Sequence, residues 1–386
     1  MSLFERPEGK RLVGSATKDA TTAYSQTRGR ALDRGHYSDF RGGIKLSALG
    51  LGTFPGVASD AADRALADIV HRALAGGVNV IDTATHYRYG RSLPAIAEGL
   101  KRAVDEGVDR SALWLMSKGG FVDFAGAAPA DVEGYMRREI IAKDLATPAE
   151  CAGAHVLSRR YIRAQIDKSR ARLRVETLDT FLVDQPEVHI PVWGKAAVLA
   201  KLGEIFIELE QAVKEGALNF YGVSSFHAFR VPTDDPLFIS LAALVAQAKK
   251  AAKEVVGHEH HHLALIELPF NAVMLDGFTR FNQITGEGDE ASTLQGALQL
   301  QLYTVASHGL FKGHLAKQPM DILVQAMPTY VNDAQRALQF NRSTPGLGTT
   351  LVGISSPSHL DDVLAVARTP LLSHKSYMAL YRRAEN

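Results

Sequence analysis

From about residue 46 to residue 367, short apolar runs alternate with longer amphipathic runs, eight times over. The apolar runs are LSALGLGT (46–53), VNVIDTA (78–84), ALWLMSK (112–118), TFLVD (180–184), LNFYGVS (218–224), LALIELP (263–269), LQLYTVAS (300–307) and TTLVGIS (349–355). Short runs of this kind bounded by turn-forming residues read as strands. Between them, apolar spacings of three and four predict helices over 60–77, 93–106, 159–174, 195–214, 236–256, 290–298, 332–341 and 358–367. Strands that alternate with helices imply a parallel sheet, and eight such repeats closing on themselves give an α/β fold, the (β/α)8 TIM barrel. The rival is an open doubly wound sheet. It calls for G-x-G-x-x-G after the first strand, whereas Gly50-Leu51-Gly52-Thr53 lacks the third glycine. The barrel is therefore the expected fold.

The 386 residues exceed the ~250 that such a barrel needs. The excess falls in three places. Residues 1–45 are expected to form an N-terminal arm; their polar, basic stretch to residue 40 reads as an arm or short hairpin and not a core element. Residues 46–386 are expected to form the barrel domain, with an insertion at 119–157 that carries a helical piece around 131–143. Long ordered connections in compact domains are usually functional, so the insertion is expected to face the substrate. The tail, 368–386, is the third.

Lys+Arg minus Asp+Glu is 43 − 42 = +1, so no global field favours nucleic acid or an anionic membrane. Cys151 is the single cysteine, which rules out an internal disulfide and favours a reducing compartment. The opening MSLFERPEGKRLVG has no apolar leader core, and no run of ~18 apolar residues occurs. A cytoplasmic protein acting on a small molecule is expected, with no membrane or nucleic-acid partner.

In a barrel of this kind, chemistry sits at the C-terminal ends of the strands. That rule alone selects Thr53, Asp82 with the following THYRYGRS, Lys118, Asp184 with Gln185, Ser224 with Ser225, Glu267, Ser307 with His308, and Ser355 with Ser356. Asp82, Tyr87 and Lys118 form a coherent set. A tyrosine near its unperturbed pKa of about 10 is a poor acid at neutrality. An ammonium beside the phenol favours phenolate, and an aspartate holds the lysine in place. Such a trio suits proton donation to a carbonyl oxygen; the bland alternative is a strand-end salt bridge beside a packing tyrosine.

The strings NVIDTATHYRYGRS, LMSKGG, LDTFLVDQPE, FYGVSSF, LPFN and ALQFNRSTPG…LVGISSPSHLDD, in this order and spacing, resemble the aldo-keto reductases over about residues 46–367. The resemblance implies a (β/α)8 barrel that reduces aldehydes or ketones with NADPH, less often NADH, without metal. It implies Tyr87 as general acid, Lys118 as its pKa modulator and Asp82 as the partner of that lysine. The family usually has His in an L-H-x-P string at the end of the fourth strand, where this chain has Leu182-Val183-Asp184-Gln185-Pro186. An ionised carboxylate there would repel a developing oxyanion. Asp184 helps only if burial keeps it protonated, a documented device, or if it binds a cationic or hydroxylated substrate. Family members with a carboxylic acid at this position reduce carbon–carbon double bonds conjugated to a ketone, which brings enones into view.

The cofactor positions implied by the resemblance are mixed. The family's Ser-Asn after the fifth strand and Gln on the sixth, which hold the nicotinamide carboxamide, read Ser224-Ser225 and Glu267. Gly52, Thr53 and Ser307 lie at the ends of the first and seventh strands. Gly353-Ile354-Ser355-Ser356-Pro357 opens a helix whose N-terminus suits a phosphate. His359 replaces the basic residue that grips the 2′-phosphate, Asp362-Val363 replaces the Glu-Asn pair that meets adenine, and Leu93 replaces a Glu. NADP(H) is expected ahead of NAD(H), with no metal.

Other residues carry less. His-Glu-His-His-His (258–262) precedes the sixth strand, away from the expected chemistry, and reads as a solvated loop. His86, His155 and His189 lie near the catalytic face, His155 as a surface histidine or a substrate contact. Nothing around Cys151 lowers its pKa. No G-x-S-x-G elbow supports hydrolysis. The expected function is NAD(P)H-dependent reduction of a carbonyl or conjugated enone; the alternative is a barrel of the same type that no longer reduces, a lyase or a nucleotide-binding sensor.

Overall fold

A computed structural model describes residues 9–286 and 288–383. Residues 1–8 of the expected arm, Glu287 and the end of the tail, 384–386, lie outside the described residues. Eight parallel strands close into one barrel in which chain neighbours are also sheet neighbours. They are β1 (Leu49–Gly52), β2 (Val80–Asp82), β3 (Trp114–Gly119), β4 (Leu178–Asp184), β5 (Leu218–Ser224), β6 (Leu263–Pro269), β7 (Tyr303–Ser307) and β8 (Thr349–Gly353). The helices that follow them are α1 (Asp60–Ala75), α2 (Ser92–Asp105), α3 (Arg159–Leu173), α4 (Lys195–Lys214), α5 (Leu241–Val256), α6 (Thr293–Gln299), α7 (Asp333–Arg342) and α8 (Pro357–Ala367). The expected (β/α)8 fold is the observed one.

Side chains alternate across each strand, so every strand feeds two cores. Outward residues such as Leu51, Ile81, Leu115, Val183, Val223 and Ile266 pack against the helices. Inward residues such as Val80, Trp114, Met116, Leu182, Leu265 and Leu351 fill the barrel itself. On β3 the inward series runs Trp114, Met116, Lys118, from apolar floor to charged mouth.

The floor is closed by an antiparallel hairpin, Tyr37–Phe40 with Ile44–Ser47. The Phe40 ring lies 4.7 Å from Trp114 and 5.1 Å from Phe220. A helix, Lys18–Thr27, capped by Thr17, sets Tyr24 into the helical layer, where its hydroxyl donates to Leu74 O at 2.5 Å. The expectation that the arm contributes no core element is thus corrected for the described residues: Tyr24, His36 and Phe40 are buried. These side chains stand alone among polar neighbours and show no periodicity, so only tertiary contact reveals them.

Three smaller differences follow local chemistry. α5 begins at Leu241 rather than 236, because the Ser240 hydroxyl caps it by accepting from Ala243 N. The connection after β6 holds a hairpin, Phe281–Thr285 with Asp289–Ser292. The tail carries a helix, His374–Arg383, whose Tyr377 is fully buried. Among the described residues no helix is long and apolar enough to cross a membrane.

Candidate active site

Parallel register sets the strand ends in one ring: Asp184 pairs with Ser224, and Ser224 with Glu267. Asp82 and Lys118 enter the same ring from β2 and β3. Lys118 is its centre. It is fully buried, ion-paired to Asp82, 3.1 Å from Glu267 Oε2, and 3.3 Å from the Tyr87 hydroxyl. An unpaired ammonium at that depth would cost several kcal/mol. Burial pulls the Lys118 pKa down, but Asp82, Glu267, Tyr87 and Asp184 together hold it well above the ordinary lysine value. The four residues predicted to act together are therefore brought together.

One ammonium faces three carboxyl groups, and this changes an expectation. Burial pushes the Tyr87 phenol up, Lys118 pulls it down, and Asp82, Glu267 and Asp184 push it up again; the net position is well above 10.0. The phenol is not lowered by its lysine neighbour alone, because the lysine is already matched by carboxylates. Asp184 is raised to about 7, chiefly by burial; Lys118 opposes the rise, Glu267 adds to it, and the Ser224 hydroxyl opposes it through a hydrogen bond. Asp184 is thus largely protonated below neutrality, as a helpful role at this position requires.

Tyr87 sits on a short turn, Tyr87–Gly90, in which Arg88 (φ 52), Tyr89 (φ 57) and Gly90 (φ 84) are all left-handed. Non-glycine residues in this region cost about 1–2 kcal/mol each. A buried ion pair holds the turn: Arg88 Nη2 lies 2.5 Å from Asp63 Oδ1 and donates to Val57 O at 2.9 Å. Phe54 and His86 meet the Tyr87 ring edge-on at 5.2 and 4.9 Å. The sequence does not single out Arg88 and Asp63; the available signal is a pair of arginines, Arg88 within the Tyr87 turn and Arg91 just after it.

Several predicted cofactor positions are engaged within the scaffold. The Thr53 hydroxyl donates to Asp82 O at 2.9 Å. The Ser225 hydroxyl donates to Glu187 Oε1 and accepts from Ala228 N, both at 2.7 Å. That Glu187 oxygen also accepts from Phe226 N and His227 N, so this buried carboxylate, missed in the sequence, organises the turn after β5. Glu267 is paired with Lys118. Asp362 Oδ1 accepts from Asn332 and Gln335, both at 2.8 Å, and faces α7. The Ser307 hydroxyl lies 3.3 Å from His308 Nδ1. By contrast, Gly353, Ser355 and His359 are exposed at the opening of α8, where Ser356 supplies the cap and a Cβ on Gly353 would come within 2.5 Å of Pro55. Gly52 keeps ordinary spacing to β8.

The remaining histidines divide. His155 is buried, not on the surface: its Nε2 donates to Asp184 O at 2.7 Å and its Nδ1 lies 2.9 Å from His189 Nε2. His262 of the 258–262 run pairs with Glu210. Burial pushes the Cys151 thiol up. Among the described residues no group of three or more His, Cys, Asp or Glu side chains is arranged to hold a metal ion. A surface cleft of about 430 Å³, lined by Asp144, Arg160, Lys201 and Glu204, lies between the insertion and helices α3 and α4, and none of the strand-end residues lines it.

No curated protein sequence matches the chain. Solved structures do. A thermostable aldo-keto reductase, Tm1743, in complex with the inhibitor epalrestat is 18% identical, with TM-score 0.58, over 89% of this chain and 98% of its own. An aldo/keto reductase from Klebsiella pneumoniae in complex with NADP and acetate is 19% identical, with TM-score 0.57, over 90% and 95%. The holo form of aldo-keto reductase AKR11C1 from Bacillus halodurans is 16% identical, with TM-score 0.56, over 90% and 95%. At these identities the likeness is one of fold. Residues 48–232, which carry Asp82, Tyr87, Lys118 and Asp184, match the model of the Aldo/keto reductase family.

Proposed function

We propose that the chain is an NAD(P)H-dependent oxidoreductase that reduces a carbonyl, or a double bond conjugated to one, in a small organic substrate. The observation that carries this reading is the buried Asp82–Lys118 pair with the Tyr87 hydroxyl 3.3 Å from the ammonium. The nicotinamide, when bound, supplies a hydride. Tyr87 gives its phenolic proton to the oxygen on which negative charge develops. Lys118 stabilises the phenolate left behind, and Asp82 keeps Lys118 in place. Protonated Asp184 donates a hydrogen bond to the same oxygen; ionised, it repels that oxygen.

The chain's own residues fit a dinucleotide unevenly. The open N-terminus of α8 with Ser355, Ser356 and His359 suits either the pyrophosphate common to both dinucleotides or the 2′-phosphate of NADP(H), and His359, at the place of the family's 2′-phosphate grip, is the ground for preferring NADP(H). The NADP bound by the Klebsiella protein is in keeping with this. At the carboxamide end, Ser225 is bound to Glu187 and Glu267 to Lys118. That engagement favours a second reading, a barrel of this superfamily that no longer reduces and acts as a lyase or nucleotide sensor.

The test is NADPH and NADH oxidation against a panel of aldehydes, ketones and enones, with calorimetric titration of both nucleotides. Turnover on one class, lowered by about 10²–10⁴ in Tyr87→Phe, is expected. Unchanged turnover in Tyr87→Phe overturns the assigned proton donor. Absence of binding by either nucleotide overturns the reductase reading.

A further inference from the structure

The 119–157 insertion reaches the Asp184 backbone through the side chain of His155. Its short strand pair, Cys151–Ala152 with His155–Val156, docks on the segment after β3: Val122 N donates to Ala154 O and Val156 N to Gly120 O, both at 2.9 Å. Gly120 makes the approach possible. A Cβ there would come within 2.5 Å of His155 Nε2 and 3.0 Å of Asp184 O.

His155 then meets the peptide unit that follows Asp184. The Asp184 carbonyl only accepts, so the proton is assigned to His155 Nε2. His155 Nδ1 is the acceptor left over, and His189 Nε2 donates to it. The other end of the same peptide unit is held as well, because Gln185 N donates to Ser224 O at 2.7 Å. Gln185 is left-handed (φ 47, ψ 55), a conformation that a free loop would seldom keep. The peptide plane is clamped at both ends, and it fixes the direction in which the Asp184 side chain leaves the backbone.

We propose that His155 is a positioning residue for Asp184, and that the insertion serves to deliver it from the end of β3 to the end of β4. The role of Asp184 rests on the proposed function above, whereas the clamp is a property of the resting protein and is tested there. The groups facing Asp184 are Asp82 on β2, Lys118 on β3, Ser224 on β5, Glu267 on β6, Tyr87 on its loop and Glu187 after β4. His155 itself stays neutral, since burial lowers its pKa to about 3. Both water and the Lys118 ammonium favour ionised Asp184, so release of the carboxyl from its held direction lowers its pKa.

The experiment is an infrared titration of the protein without substrate or nucleotide, using the carboxylic-acid band that Asp184→Asn removes. The native midpoint is expected near 7. His155→Leu is expected to lower it by one pH unit or more. His155→Gln, whose amide can donate to the same carbonyl, is expected to restore most of the shift. A folded His155→Leu with a native midpoint and only a lower melting temperature overturns the proposal, as does a His155→Gln variant shifted as far as His155→Leu. If His155→Leu does not fold, His189→Leu is measured instead. It leaves the His155 contact with Asp184 O in place and removes the hydrogen bond that fixes the His155 ring, and a downward shift supports the proposal while a native midpoint overturns it. Because no turnover is read, a chain that reduces nothing still gives the answer.

Discussion

The barrel mouth has two sides of different construction. Around β2 to β6, the polar strand-end groups are buried and answer one another: Lys118 meets Asp82, Glu267 and Tyr87, and Ser225 meets Glu187. Around β7 and β8, Ser355 and His359 are exposed, and Asp362 is turned toward α7. The first side is a charge cluster that the scaffold itself completes. The second is a main-chain ledge with few committed side chains. Proton chemistry depends on fixed pKa relations and is built into the core, whereas a phosphate needs only amide donors and an accessible helix end. The family match, which stops at residue 232, covers most of the first side and none of the second.

The sharpest way to break this contrast is Lys118→Met. It leaves Asp82, Glu267 and Asp184 buried without a counter-charge, and a loss of about 3–5 kcal/mol in urea unfolding is expected. A variant as stable as the native protein would mean that the buried side is not held by its charges.

The pH dependence of stability comes next. Asp184 is raised from 3.8 to about 7 on folding. Between those values the unfolded chain binds fewer protons than the folded one, so stability falls as pH rises from about 4 to about 7 and levels off above. Thermal melts across this range are expected to show that decline, and Asp184→Asn to flatten it. In turnover, the same titration predicts activity falling as pH rises through about 7.

Ser225→Ala separates scaffold from ligand grip. It removes one donor to Glu187 and the acceptor for Ala228 N, at an expected cost of about 1–2 kcal/mol in stability. NADPH affinity by calorimetry is expected to change by less than about threefold. A large loss of affinity with little loss of stability would move Ser225 to the ligand side. The smallest effect is expected at His359→Ala, with a roughly fivefold weaker NADPH affinity, about 1 kcal/mol, and NADH unaffected.

The repeat pattern was legible because each strand and helix carries its own period, and six of the eight helices have a side-chain N-cap. Ser59 before α1, Ser158 before α3 and Asn332 before α7 all accept a backbone N–H of the first turn. The 281–292 hairpin was not legible, since FNQIT and DEAS are largely polar and lack a clean alternation. At the site, residue types and strand ends were enough to select Asp82, Tyr87, Lys118 and Asp184. The sign of the Tyr87 shift was not, because it depends on how many carboxyls the register places around one ammonium. Glu187 and His155 were hidden for a related reason. Each acts on a backbone group distant in sequence, and no local spacing encodes that meeting.

The two tryptophans divide the molecule optically. Trp114 is sealed in the barrel floor beneath Phe40, so blue-shifted emission that follows global unfolding is expected of it. Trp193 is half-exposed and lies 4.2 Å from the His189 ring, the outer member of the pair that holds Asp184. Burial lowers the His189 pKa to about 4, and an imidazolium quenches a neighbouring indole. The red component of the fluorescence therefore stays level through neutral pH and dims only in acid, giving the clamp a built-in reporter that needs no label.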